Sequence, residues 1–368
     1  MDKITFLKFN GNDFTNFISF VKSMNSRDKS KYSRVAFLSV ENDQLVCRAI
    51  DDVSNTVEYY VELYKEDSNI DEPIAASISD LSALIKSADS DKFTIRKSYG
   101  QYEFKVVGGG WMPFKTSDAD LSKFNLHGDI THLGDINSTK LKNAISSVLG
   151  YTQEYTYARD KYIQFSKDQM VVTSRLSSVI TNDEFIEMTL HRDDATMLRS
   201  LLKDNFNLSV DRISGAVSRM LFSGPKFKLS TIESGIELGN IKYNKDIKDY
   251  VTVNCDELYK LTTFAEEYSA SKHIVGMSIK NKELNVSVKN VLAAKHVSTV
   301  KSTFNGDVVD TSKEAEVSSH NLLKALKLFQ DKHSREINIY ITDKLVTEQN
   351  SIILFDNSTQ AIINIYNR

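Results

Sequence analysis

Histidines and cysteines are the residues of this chain with the widest catalytic and metal-binding chemistry. The seven histidines show no spacing typical of a zinc site, and the two that are closest in sequence, His127 and His132, are predicted to lie in a loop. Cys47 and Cys255 lie far apart, which predicts neither a disulfide framework nor a cysteine metal site and fits a reducing cytoplasm. We therefore predict no metal site, and interpret the histidines as solvated groups: His127 and His132 in the loop, and His191, His273, His296, His320 and His333 elsewhere.

Two acidic pairs and one glycine run could also support chemistry. Asp193-Asp194 could bind a cation, but it precedes a helical pattern, where carboxylates interact favourably with the helix dipole. Asp51-Asp52 is predicted to lie in a turn. The run Gly108-Gly-Gly-Trp lacks the Lys-Ser or Lys-Thr of a phosphate-binding loop and is interpreted as a connection between strands. No nucleophile, base and orienting group are recognisable together, so we predict a protein that is not an enzyme and needs no cofactor.

Charge and composition exclude several classes of protein. Lys and Arg number 46 against 49 Asp and Glu, for a formal charge of −3, so the chain as a whole is not a strongly basic nucleic-acid binder. No apolar stretch reaches the length of a membrane span, and the N-terminus has no signal-peptide core, which predicts a cytoplasmic location. A chain of 368 residues is long enough for two or three domains.

Short helical patterns recur along the chain and organise it into six repeats. They begin near residues 12, 77, 138, 191, 255 and 318, and each is preceded by one predicted strand and followed by two or three. Odd repeats resemble odd repeats more than even ones, so the repeats group in pairs. This predicts an α+β fold of three domains, each made of two βαβββ halves, over residues 1–126, 127–247 and 248–368.

This construction resembles the β subunit of bacterial DNA polymerase III, the replicative sliding clamp. The best matches are the segment from Val253 to Leu261, the segment from Ile274 to Val288 and the final helix and strands from Ser318 onward. Residues 158–174 are similar to the segment that leads into the family's Thr-Asp-Gly-His-Arg-Leu motif. That motif is replaced by Arg175-Leu-Ser-Ser-Val-Ile, which puts the pocket that it helps to shape in doubt.

The resemblance implies a DNA-clamp fold in which helices line a ring and antiparallel sheets lie outside. It also implies a head-to-tail homodimer that encircles double-stranded DNA without sequence preference and serves a DNA polymerase and a clamp loader. The six helical segments sum to +4, although Glu266 and Glu267 oppose a uniformly basic lining. Candidate phosphate-facing residues, each of which could equally belong to an ordinary solvated helix face, are Lys22, Arg27, Lys86, Lys140, Lys142, Arg192, Arg199, Lys203, Lys260, Lys272, Lys324, Lys327 and Lys332.

Two protein-binding surfaces are also implied by the resemblance. Trp111, Phe114 and Tyr268 are candidates for the contact between subunits, with burial in a core as the alternative. An apolar groove for partner peptides would involve residues that could equally be sheet core: Leu176, Val179, Ile180, Ile362, Asn364, Ile365 and Tyr366. Asn364 departs from the apolar residue expected there.

Two alternatives to a DNA-encircling clamp remain open at this stage. A clamp-like scaffold or decoy would bind clamp-interaction peptides as a monomer and would not be retained on circular DNA. An enzyme would show a turnover that depends on one of the acidic or histidine groups.

Overall fold

The structure of the chain is a computed structural model. It describes residues 5–24, 35–51, 55–64, 72–88, 91–118, 120–124, 126–152, 161–174, 177–236, 238, 246–268, 273–289, 295–306, 313–342 and 351–365. Within these ranges all six predicted helices are present, and each begins within one residue of its predicted position.

Each helix begins directly after a strand, with a polar side chain at the boundary. The helices are α1 Gly11–Met24, α2 Ile78–Lys86, α3 Ser138–Val148, α4 Arg192–Leu201, α5 Cys255–Tyr268 and α6 Ser319–Asp331. The residue before each helix accepts a hydrogen bond from a backbone N–H of the first turn, which otherwise lacks a partner within the helix. These N-cap residues are Asn10, Asn137 and Asn254 for the odd helices and Ser77, His191 and Ser318 for the even ones.

Strands account for most of the remaining regular structure. The first two repeats contain β1 Thr5–Asn10, β2 Val35–Glu41, β3 Gln44–Ile50, β4 Thr56–Glu62, β5 Ile74–Ser77, β6 Lys92–Ser98, β7 Gln101–Lys105 and β8 Trp111–Pro113, followed by the short β9 Thr116–Ser117. The third and fourth contain β10 Asp129–Asn137, β11 Tyr162–Phe165, β12 Met170–Ser174, β13 Ser177–Thr181, β14 Met188–His191, β15 Asn207–Ser214, β16 Arg219–Ser223 and β17 Phe227–Ile232. The last two contain β18 Tyr250–Asn254, β19 Ile274–Lys280, β20 Glu283–Lys289, β21 Lys295–Val300, β22 Ser302–Asn305, β23 Lys313–Ser318, β24 Glu336–Thr342, β25 Ser351–Phe355 and β26 Thr359–Asn364.

The chain divides into two compact units, each with one four-stranded and one nine-stranded antiparallel sheet. The first unit, Met1–Leu141 with Thr196–Ser234, contains the sheets β1-β6-β7-β8 and β10-β15-β16-β17-β4-β3-β2-β5-β9. The second unit, Lys142–Ala195 with Gly235–Arg368, contains the sheets β14-β11-β12-β13-β26-β25-β24-β18-β22 and β21-β20-β19-β23. The division into three domains of two repeats remains a prediction from the sequence.

The apolar stripes of the helices that lie within a single unit, α1, α2, α5 and α6, are buried. In the first unit the ring of Phe14 on α1 lies 4.9 Å from that of Phe9 and 6.1 Å from that of Phe93. In the second unit Leu258 of α5 and Leu326 of α6 are fully buried. Burial of these stripes leaves the opposite helix faces to polar residues.

One histidine lies in a different element from the one expected. His132 was predicted to lie in a loop, but it is part of β10, opposite Asp211 of β15, and its Nδ1 lies 2.8 Å from the Asp211 carboxylate. The glycines on both sides explain the error, because β10 contains a register shift between His132 and Gly134 where loop signals and strand coexist.

Candidate nucleic-acid interface and protein-binding surfaces

Among the described residues, the candidate phosphate-facing residues lie on the helices or within two residues of a helix end. Those with exposed side chains are Lys22, Lys86, Lys203, Lys260 and Lys327. Those that are partly buried are Lys140, Lys142, Arg192, Arg199, Lys324 and Lys332. Arg27 and Lys272 lie outside the described residues.

Two of these lysines contact neutral groups of another helical segment. Lys22 of α1 donates from Nζ to the Ser82 hydroxyl of α2, with an N···O distance of 3.0 Å. Lys203 donates to the Asn16 side-chain oxygen of α1 at 2.9 Å. Neither acceptor carries a charge, so both contacts leave the positive charge available to an anion.

Arg192 of α4 and Lys324 of α6 form a pair of like charges. Burial and, to a smaller extent, the nearby Arg192 guanidinium lower the pKa of Lys324. The two residues are 132 positions apart in the sequence, and the fold brings their charges within electrostatic range.

Lys332 and Lys327 have closer protein partners. Lys332 donates to the Thr359 hydroxyl, and burial lowers its pKa while the Asp356 and Asp183 carboxylates act in the opposite direction. Lys327 lies 3.4 Å from the Asp331 carboxylate one helical turn later. These contacts give both residues a structural role within α6 and its surroundings.

A second feature of the fold is the junction, which we define as pairing between the third strands that follow the helices of two different repeats. In the first unit β17 pairs with β4, with Leu229 opposite Val57, and the Tyr60 N–H donates to the Lys226 carbonyl at 2.9 Å. In the second unit β26 pairs with β13, with Ala361 opposite Val179, and the Asn182 N–H donates to the Ser358 carbonyl at 2.7 Å. In each nine-stranded sheet the junction therefore joins the third strands of two repeats that are not adjacent in sequence.

Comparison with solved structures identifies this arrangement. The chain is similar to the DNA polymerase III β subunit of Pseudomonas aeruginosa, with a TM-score of 0.80 at 14% identity over 99% of this chain and 100% of that chain. It is also similar to Caulobacter crescentus pol III β, with a TM-score of 0.80 at 12% identity over 99% and 100%. The β subunit of Borrelia burgdorferi gives a TM-score of 0.76 at 12% identity over 99% and 98%. The chain has the sliding-clamp fold.

Automated comparison of the whole sequence does not detect this likeness. No family model matches the chain, and no curated protein matches it. The clamp fold is therefore retained here with few of the residues found in those structures, and the predicted fold class is confirmed.

The residues predicted for the peptide groove lie around the junction of β13 and β26. Ile180 and Ile362 are buried in one cluster with Val171 and Ile353. Val179 is fully buried and precedes Ile180 on the same strand, so it points to the other face of the sheet. Asn364 and Ile365 are partly buried, whereas Leu176 and Tyr366 lie outside the described residues.

Sequence analysis missed three residues that pack against this cluster. Ile247, Tyr340 and Phe355 are partly buried hydrophobic residues in contact with it. Tyr340 and Phe355 occur in strands that the sequence did predict, and their outward position on the pleat was the signal that could have identified them.

The predicted subunit-contact residues lie near two sheet edges of the clamp fold. Trp111 of β8 is partly buried, with the Arg96 guanidinium 4.0 Å from its ring centre, whereas Phe114 is buried beside Tyr102. Tyr268 is partly buried and stacks on the more exposed Phe264 of α5, with ring centres 5.6 Å apart.

His296 of β21 completes this aromatic cluster, and the sequence analysis did not single it out as a candidate for the contact between subunits. Its ring lies 5.4 Å from that of Phe264 and 6.3 Å from that of Tyr268. The signal for β21 was the repeat itself, since a third strand after α5 is required if the fifth repeat matches the others.

Two further properties bear on function. Among the described residues, no group of three or more histidines, cysteines and carboxylates is arranged to hold a metal ion. Within the same ranges, none of the helices combines the length and apolar character needed to cross a membrane.

Proposed function

We propose that this chain is a DNA sliding clamp: two copies form a closed ring around duplex DNA and tether a DNA polymerase, without catalysing a reaction. In this proposal each copy contributes three domains, at residues 1–126, 127–247 and 248–368, and acts in the cytoplasm. Retention comes from the topological link and sequence-independent phosphate attraction, so no catalytic group is required.

The observation that carries the proposal is the pairing of the third strands. Four of the six pair within the chain, as β17 with β4 and β26 with β13. The other two are β8, at the end of the second repeat, and β21, at the end of the fifth; each is an edge strand of a four-stranded sheet in the described structure.

These two edges support a ring of two copies. They are different surfaces of one chain, so β8 of one copy can pair with β21 of the next in a head-to-tail contact. Such contacts close into a ring when the rotation between copies allows it. With two copies, every third strand of the six domains would have a partner.

Charge on the helices supports the DNA-facing role. Exposed Lys22 and Lys203 are held by neutral acceptors, and burial together with the nearby Arg192 charge lowers the pKa of Lys324. Phosphate contacts of this kind are sensitive to salt and insensitive to sequence, as sliding requires.

Polymerase and clamp loader would dock through short peptides at the Ile180 and Ile362 cluster. Partly buried Ile247, Tyr340 and Phe355 extend this apolar surface toward solvent. A few apolar anchors are enough for such a site, even though the family's Thr-Asp-Gly-His-Arg-Leu motif is absent here.

The first test is the solution mass measured by light scattering over a range of concentrations. A species of twice 41.7 kDa is expected. The dimer should then be loaded on nicked circular DNA by its cognate loader, where we expect retention in high salt and release after linearisation. A persistent monomer would contradict the proposal and favour a peptide-binding scaffold.

A further inference from the structure

Corresponding positions of the six repeats form rows of side chains that run across the sheets. One kind of row starts at the residue three positions before the Asn N-cap of an odd-numbered helix. In the first unit it runs through Gly134, Val210, Phe222 and Leu229 and crosses the junction to Val57. In the second unit it runs through Val251, Ile339, Leu354 and Ala361 and crosses to Val179. Apart from Gly134, these residues are fully buried.

The same row in the four-stranded sheet of the first unit stops at an edge. It runs through Leu7, Ile95 and Phe104, which are buried, and ends at Met112 of β8, which is 46% exposed. Met112 therefore occupies the position of Leu229 and Ala361, but nothing within its own unit covers it to the same extent.

A second set of rows locates the residue of β21 that corresponds to Val57 and Val179. These rows start two residues before the N-caps of the even helices, at Ala75, Thr189 and Glu316. They end on the third strands β4, β13 and β21, at Glu58, Ile180 and Val297, respectively. The residue before each of these end points is Val57, Val179 and His296. His296 is exposed, whereas both valines are fully buried.

Backbone hydrogen bonds fix which groups of β8 face outward. The Phe114 N–H donates to the Tyr102 carbonyl of β7, so the backbone groups of Trp111 and Pro113 point to the open side. Pro113 has no N–H to donate. Its counterparts at the two junctions, Ser230 and Ile362, do have one.

We propose that β8 of one copy pairs with β21 of the next in the register of the internal junctions, and that this joint is the weakest in the ring. Met112 then lies opposite His296, Trp111 opposite Val297 and Pro113 opposite Lys295. The register places a thioether against an imidazole where each internal junction has two aliphatic side chains. It also leaves one ladder hydrogen bond unmade at Pro113. This inference rests on the proposed two-copy ring.

A cysteine pair tests the register. Met112→Cys with His296→Cys places two thiols at a position where strands approach to about 4.5 Å between Cα atoms, within the range of a disulfide. The native Cys47 and Cys255 are buried. Mild oxidation should give a species of doubled mass in denaturing gels that disappears on reduction.

The matched control shifts one partner by a single residue. Trp111→Cys with His296→Cys places the thiols on opposite faces of the joined sheet, so little cross-linking is expected. A dimer in light scattering that cross-links through the shifted pair, or through neither pair, would overturn the register but not the ring. A wild-type protein that remains monomeric would overturn both.

A substitution toward the internal junctions tests the strength of the joint. His296→Val restores the residue found at Val57 and Val179, and we expect the dimer dissociation constant to fall by about tenfold, because more apolar surface is buried. His127→Val, at an exposed loop residue, should leave it unchanged. An unchanged or higher dissociation constant for His296→Val would show that the imidazole does not weaken the joint.

Discussion

Inside each unit the junction row contains aliphatic side chains without solvent exposure, such as Leu229 opposite Val57. On β8 and β21 the corresponding residues, Met112 and His296, are exposed. In the proposed ring the backbone plan is the same in both places, and the two differ in whether the partner strand is always present. A permanent junction can use aliphatic residues that would promote aggregation if they were exposed. An edge strand that is sometimes unpaired needs residues that tolerate contact with water. Methionine, histidine and an edge proline meet this requirement.

The largest effect should come from a charge at an internal junction. Val57→Asp would bury a carboxylate beside Leu229 without a partner, and we expect the free energy of unfolding to fall by about 4 kcal/mol or more. Urea unfolding followed by circular dichroism measures this. A loss below about 1 kcal/mol would mean that the β17–β4 pairing separates as easily as a surface contact.

The same change on β8 should spare the fold and abolish assembly. Met112→Asp puts a charge on a side chain that is already half exposed, so the unfolding free energy of the monomer should change by about 0.5 kcal/mol or less. Light scattering should show only monomer. If Met112→Asp unfolds the chain as Val57→Asp does, the distinction between permanent and separable junctions is wrong.

An ion-pair network next to the β17–β4 junction should make that sheet sensitive to acid. Arg48 binds both oxygens of Glu41 at 2.6 and 2.7 Å and reaches Glu58, which lies opposite Lys228, at 3.3 Å. Hydrogen bonding to Arg48 lowers the pKa of Glu41 from 4.5 to about 2. Because the folded pKa is the lower one, this contribution to stability is present above pH 4.5 and is lost as the pH falls toward 2.

Glu41→Gln tests this assignment. Between pH 5 and pH 2 the variant should lose less stability than the wild type, and at pH 7 it should be slightly less stable. Since Glu41 is partly exposed, the difference should be modest, and an identical pH dependence for the two proteins would exclude the pair as its source.

The smallest effect on stability should come from the helix faces, which take part in neither kind of junction. Arg192→Ala should change the unfolding free energy by less than the junction substitutions do, should leave the dimer unchanged and should raise the pKa of Lys324 by removing a like charge. In DNA retention assays the log–log salt slope should decrease by about one unit. A weaker dimer would instead place Arg192 in the assembly contact.

Sequence patterns located the helices and many of the strands of this fold. The 3.6-residue periodicity of Leu141, Ile145 and Val148 and the alternation of the strand at Gln101–Lys105 arise locally, so they are readable without tertiary information. The third strands β4, β8, β13, β17 and β21 were not located from the sequence, although the repeat allowed for them. β8 has only three residues, and β4, β13 and β17 each pair on one side with a strand of a distant repeat, so local alternation is a weak signal for them.

The candidate sites followed the same division. Basic residues on helices could be identified because the helices could, as for Lys22 and Lys324. Met112 and His296 could not, because their importance depends on the register of strands from different repeats. His132 was wrongly assigned to a loop, because glycines, which usually indicate a loop, also occur where a strand shifts register.

The N-caps also bear on how this architecture arose. Asn precedes each odd helix, and Ser or His precedes each even one. Growth of the gene by copying single halves would give no reason for this alternation. Tandem triplication of a two-helix block would leave this alternation, in agreement with the three-domain division predicted from the sequence.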